Sequence, residues 1–146
     1  MAIRLTKNFT LEELCASQTA TAKGIRNIPG TQEVANLTAL AVMVLQPLRD
    51  WWGKEVKIGS GYRSVKLNEA VGGVKNSQHM TGQAADICID GDKDKGMRWF
   101  SYIRNHLDFD QLIWEKNAKT GNYWVHVSFR SDGKNRKQVI DNLVKK

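Results

Sequence analysis

The sequence predicts an α+β fold in which a mainly antiparallel sheet is flanked by helices. Three observations carry that expectation. Apolar residues recur at helical spacing in two long stretches, whereas shorter runs rich in Val, Ile and Trp alternate with period two. Two of the short runs, 110–115 and 122–129, flank a polar segment at 117–121 that suits a hairpin. The elements also lack the regular strand–helix alternation of a parallel α/β sheet.

Taken in order, Thr10 and Glu13 form a capping box that opens a short helix running to about Ala16. Residues 17–30 are polar, end in Pro29-Gly30 and read as a loop. Thr31 caps the longest helix, whose apolar face is Val34, Leu37, Ala41, Val44, Leu45, Leu48 and Trp52. Pro47 lacks a backbone donor and predicts a kink or restart inside it. Residues 55–58 alternate as a strand, and 59–64 form a turn-rich exit. A short helix over 64–71 stops at Gly72-Gly73. A Gly-containing turn at 77–83 leads into a strand over 84–90. Asp92 or Asp94 caps a helix with Met97, Phe100, Ile103 and Leu107 inward, and the hairpin follows. Residues 135–144 are expected to form a terminal amphipathic helix.

Length and composition bound the function. At 146 residues, 41% hydrophobic and 25% charged, the chain is expected to be one globular domain over 1–146. No apolar run is long enough for a membrane span, and the first residues lack the apolar core of a signal peptide. Synthesis in a cytoplasm is the expectation. Cys15 and Cys88 lie far apart among apolar neighbours and read as buried free thiols. A net charge of +7 favours an anionic partner, but the basic residues are scattered and no aromatic-basic stacking pattern recommends nucleic acid.

The chemistry concentrates in two places. His79 and Asp86 lie seven positions apart across the Gly82 turn, and His126 sits mid-strand between Val125 and Val127. Alternation puts the valines on one face and Trp124, His126 and Ser128 on the other, so one face serves the core and one a cleft. Two imidazoles and a carboxylate can hold one Zn²⁺ and leave a fourth position for water, as a catalytic zinc requires. The expectation is a zinc hydrolase. It needs a general base, for which Glu115, ending the strand that pairs with the His126 strand, is the candidate. Arg63 could grip a substrate carboxylate, and Tyr62 and Trp124 could line the cleft. Ser77 and Gln83, grouped with these substrate-facing residues, could orient the ligands. His106, in the last turn of a helix, reads as a surface residue.

These residues resemble a known pattern. Ser77, His79, Gly82, Ala84 and Asp86, followed by Trp124 and His126, look like the zinc site of the D-alanyl-D-alanine carboxypeptidase family. That family includes related peptidoglycan endopeptidases and has the hedgehog/DD-peptidase fold. Residues 60–64, with Arg63, are similar to its arginine-bearing segment, and residues 8–14 resemble the start of small members from phages and prophages. The resemblance implies zinc on His79, Asp86 and His126, Arg63 against substrate, and a peptidoglycan stem peptide as partner, often for lysis. It also implies action on the wall after holin-type release or from a virion, by a monomer. One position departs. Many members carry an acid three residues before the last histidine, where this chain has Tyr123, so the base falls to Glu115.

Two other readings compete. Non-haem iron(II) oxygenases also use two histidines and a carboxylate, but their His-x-Asp spacing and all-β barrel do not match. A cell-wall-binding module that keeps zinc for stability alone would share the ligands and dispense with Glu115.

Overall fold

A computed structural model describes residues 2–141. Thirteen elements lie along them, in the order α1 (Leu11–Cys15), α2 (Gln18–Lys23), α3 (Thr31–Leu40), a π-turn (Ala41–Leu45), α4 (Gln46–Trp52), β1 (Lys57–Ser60), α5 (Val65–Ala70), a 3-10 turn (Gln78–Thr81), β2 (Ala84–Cys88), α6 (Lys93–His106), β3 (Gln111–Lys116), β4 (Tyr123–Ser128) and β5 (Gln138–Asp141). The five strands form one sheet in the order β1-β2-β4-β3-β5. Every pair is antiparallel except β3 and β5, which run parallel. The expected α+β architecture, with its mainly antiparallel sheet, is the one observed.

The sheet has two unlike faces. Ala85 and Ile87 of β2, Val125 and Val127 of β4, and Leu112 and Trp114 of β3 enter the hydrophobic core. Leu37, Leu40, Val44, Leu45 and Leu48 of the long helical run, with Trp99, Phe100 and Ile103 of α6, meet them there. Each large apolar side chain buried this way stabilises the fold by about 1.5–3 kcal/mol. Gly96 lets α6 lie close to β3. A Cβ at this position would stand 2.5 Å from the Trp114 ring.

Four local expectations are corrected. Residues 17–30 are not all loop, because Ser17 accepts the Ala20 amide and caps α2, which ends on Gly24 in the left-handed region. Gly30, not Thr31, is the cap residue of α3, without a side-chain bond. The strand expected over 55–58 is β1 at Lys57–Ser60, with an irregularity between Ile58 and Ser60. In place of the expected terminal helix, Gln138–Asp141 adds a strand to the free edge of β3. The ladder there satisfies backbone groups that a helix would have left exposed along β3. Residues 142–144 of that expectation lie outside the described part. Pro47 falls at the start of α4, and the adjustment to it is a π-turn, with the Gln46 amide reaching Ala41 O.

Other expectations hold. Thr10 Oγ1 accepts the Glu13 amide, Ser64 caps α5, and Asp92 caps α6. Both thiols are free, although each is half-buried and not enclosed. No helix among the described residues is long and apolar enough to cross a membrane.

Candidate metal centre

The core-averse face of the sheet carries the polar constellation. Register pairs Asp86 of β2 with His126 of β4, and His126 with Ile113 of β3. Residues opposite one another in a ladder point to the same side, so Asp86 and His126 meet there. The next row along holds Cys88, Trp124 and Glu115. Glu115 is therefore diagonal to His126, on its face. Tyr123, an odd number of positions from His126, points the other way: its ring stacks on Trp114 at 5.6 Å, beneath Lys93 at 4.3 Å. A carboxylate at 123 would face away from the site in this register, whereas Glu115 faces it.

His79 arrives from the 3-10 turn. Ser77 Oγ accepts the His79 amide at 3.1 Å and starts the turn; Gly82 ends it with φ +76°. Gly82 has a second reason to lack a side chain, since a Cβ there would stand 2.5 Å from the Glu33 carbonyl of α3. Asn36 of α3 donates to Thr81 O at 2.8 Å and holds the turn from the same side. Gln78 Nε2 donates to Asp110 Oδ2 at 2.9 Å, tying the turn to the root of β3.

His79, Asp86 and His126 each offer one ligand atom, and these atoms lie within 4.8 Å of one another. Asp86 Oδ1 stands 3.3 Å from His79 Nε2 and 2.9 Å from His126 Nδ1. Donors on a tetrahedral ion with bonds of about 2.0–2.1 Å are roughly 3.3 Å apart, so the spacing suits zinc. The hydrogen bonding points the same way. His79 Nδ1 lies 2.7 Å from the Gly61 carbonyl, which fixes the proton on Nδ1. With Nδ1 given to that carbonyl, Nε2 is the ring atom that faces the Asp86 carboxylate, 3.3 Å away, and the one open to a cation. Burial on its own would raise the Asp86 carboxyl, but the charges and hydrogen bonds of His79 and His126 outweigh it and hold the group well below the usual carboxylate range. The donor set fits the metal.

Glu115 behaves differently. Burial raises its pKa, and the negative charge of Asp86 adds to this while the two imidazoles oppose it. Its carboxyl thus feels all three ligands. Lys116, its neighbour in sequence, lies over the Tyr123 ring at 5.5 Å.

The remaining candidates divide. Arg63 reaches the site, with Nη2 3.4 Å from Asp86 Oδ2, Nε 3.1 Å from Ser60 Oγ and Nη1 3.0 Å from Asn68 Oδ1. Trp124 lines a cavity of about 710 Å³ that also borders Asp86. Tyr62 packs in the core and borders neither that cavity nor the adjoining one of about 560 Å³. Ser77 touches a ligand residue, whereas Gln83 accepts from Thr81 Oγ1 at 2.6 Å and braces the turn. His106 is exposed and rests on Tyr102 at 4.8 Å. Sequence reasoning missed the Gly61 carbonyl, Asn68 and the Gln78–Asp110 bond. Backbone acceptors and long-range amide contacts leave no mark in residue spacing.

Fold and site together define the scaffold of a metallopeptidase-type centre, with three convergent candidate ligands, an acid beside them and a cavity bordered by Asp86. A family model described as Peptidase M15 matches residues 7–128, and the chain belongs to that family. It is also 39% identical, over 84 residues, to the zinc D-Ala-D-Ala carboxypeptidase of Streptomyces albus G. That match covers 55% of this chain and 31% of the relative, so the chain spans about a third of the curated relative it matches.

Proposed function

We propose that this chain is a single zinc peptidase domain that hydrolyses a peptide bond of bacterial peptidoglycan, as a D-Ala-D-Ala carboxypeptidase or an endolysin-type endopeptidase. The observation that carries the reading is the meeting of His79, Asp86 and His126 on the sheet face that also bears Glu115. Family membership and the named activity of the Streptomyces relative support it.

His79, Asp86 and His126 would hold the ion. Zinc bound there supplies a water of lowered pKa and polarises the scissile carbonyl. Glu115, made more basic than an ordinary glutamate by burial, takes the proton of the attacking water and delivers it to the leaving amine nitrogen. Arg63 keeps a positive charge beside Asp86, where it can meet negative charge on the substrate. The half-buried indole of Trp124 forms one wall for the peptide. The net charge of +7 favours retention on an anionic wall, an effect that salt weakens. The protein acts as a monomer on the wall, after holin-type release or as part of a virion.

Defined muropeptides, with products identified by mass spectrometry, test the reading and name the bond. Glu115→Gln should retain zinc while turnover falls about 10²–10⁴-fold. Clearing of a peptidoglycan gel equal to wild type would remove Glu115 from the mechanism. No cleavage by the zinc-loaded wild type of any bond offered would leave a zinc-stabilised binding module.

A further inference from the structure

The cleft has two lobes that meet at Gly59, Ser60 and Cys88. Arg63 and Lys57 border the smaller lobe. Asp86, Asp90 and Lys93 are the charged residues of the larger one, along with Trp124 and the β3–β4 hairpin. Their charges are not equally committed. Asp86 faces His79, His126 and Arg63. Asp90 lies 3.4 Å from Lys57 and 4.0 Å from Lys95, so two cations already answer it. Lys93 is exposed at the start of α6, and its ammonium sits 4.3 Å above the Tyr123 ring without an ion-pair partner among the described residues. An aromatic face localises a cation but leaves its outward donors unused.

Arg63 is more heavily engaged than Lys93. Each of its three nitrogens already donates once, to Ser60, Asn68 and Asp86, which leaves two of its five N–H groups for another acceptor. We infer that Lys93 is a specificity residue of the larger lobe. It anchors a free carboxylate on the part of the substrate that lies along the β3–β4 hairpin, and so makes the protein discriminate acid from amide in otherwise identical peptides. The inference deepens the peptidase reading and relies on it for the identity of the ligand as a peptide. Binding itself does not require turnover.

The test uses pairs of synthetic stem peptides, one pair for each carboxylate outside the scissile bond, in which that group is either free or amidated. Each is titrated calorimetrically into zinc-loaded Glu115→Gln, with Lys93 intact or replaced by Gln or Arg. With Lys93 intact, the acid of one pair should bind about five-fold more tightly than its amide, the size expected of an exposed ion pair. Lys93→Gln should bring that ratio to about one, Lys93→Arg should keep it, and added salt should shrink it. In turnover by the Glu115 enzyme, Lys93→Gln should raise KM for the acid and leave kcat in place. A ratio unchanged by Lys93→Gln, equal binding within every pair, or no binding of either peptide would overturn the inference. Lys93-dependent binding without hydrolysis by wild type would uphold it while ending the peptidase reading.

Discussion

Asp86 and Asp110 are both carboxylates drawn out of water, and their surroundings differ in kind. Asp110 is fully buried, and both its oxygens are saturated: Oδ1 accepts the Arg136 amide and Nε, and Oδ2 accepts Arg136 Nη2 and Gln78 Nε2. Every donor around it is a committed N–H. Asp86 faces two imidazole nitrogens, each able to hold either a proton or a metal, and a guanidinium at 3.4 Å. The saturated group holds the fold together by joining the His79 turn, the root of β3 and the segment before β5. The other is where a metal ion can enter. A carboxylate at a candidate metal site is recognised here less by burial than by partners that can exchange a proton for a metal ion.

The sharpest break in that contrast is Asp86→Ala. It should abolish tight zinc binding, read as metal content after dialysis, and with it hydrolysis, while the fold persists by circular dichroism. Asp110→Ala should do the reverse, costing about 1–3 kcal/mol of stability through stranded donors at Gln78 and Arg136, with zinc still bound at saturating metal. Its pH dependence sharpens the point. The hydrogen bonds from Arg136 lower the folded pKa of Asp110 to about 2, from an ordinary value near 3.8. A lowered folded pKa stabilises above the unfolded value and is lost as pH falls toward the folded one. Acid melting between about pH 4 and 2 should therefore be steeper in wild type than in Asp110→Ala. Ser77→Ala removes the acceptor for the His79 amide and should cost about 1 kcal/mol. It should also weaken zinc affinity more than stability. His106→Ala is the control, with stability expected within about 0.5 kcal/mol and zinc binding unchanged.

Much of this was legible from local pattern. The His79–Asp86 pair, the hairpin, the Asp92 cap and the alternation that turns His126 away from Val125 and Val127 all follow from spacings of a few residues. Glu115 was reachable by the same logic once the hairpin was assumed, because cross-strand pairing puts it on the face of His126 and an odd separation puts Tyr123 on the other. Edge strand β5 was not legible. Residues 135–144 have helical spacing, and only the waiting edge of β3, with Arg136 fixed on Asp110, favours extended backbone. Tyr62 was misplaced for a related reason, since an aromatic beside a site residue packs inward or outward according to what lies beneath it.

The chain alone determined which side chains are candidates for the chemistry and which strand faces they share, because periodicity is a property of neighbouring residues. Tertiary structure decided what those side chains meet. The Gly61 carbonyl sets the tautomer of His79, Asn68 and Ser60 occupy Arg63, and the cavity leaves Lys93 as its unanswered cation. Those contacts join residues distant in sequence, and only the folding of the sheet against its helices and turns fixes the distance between them.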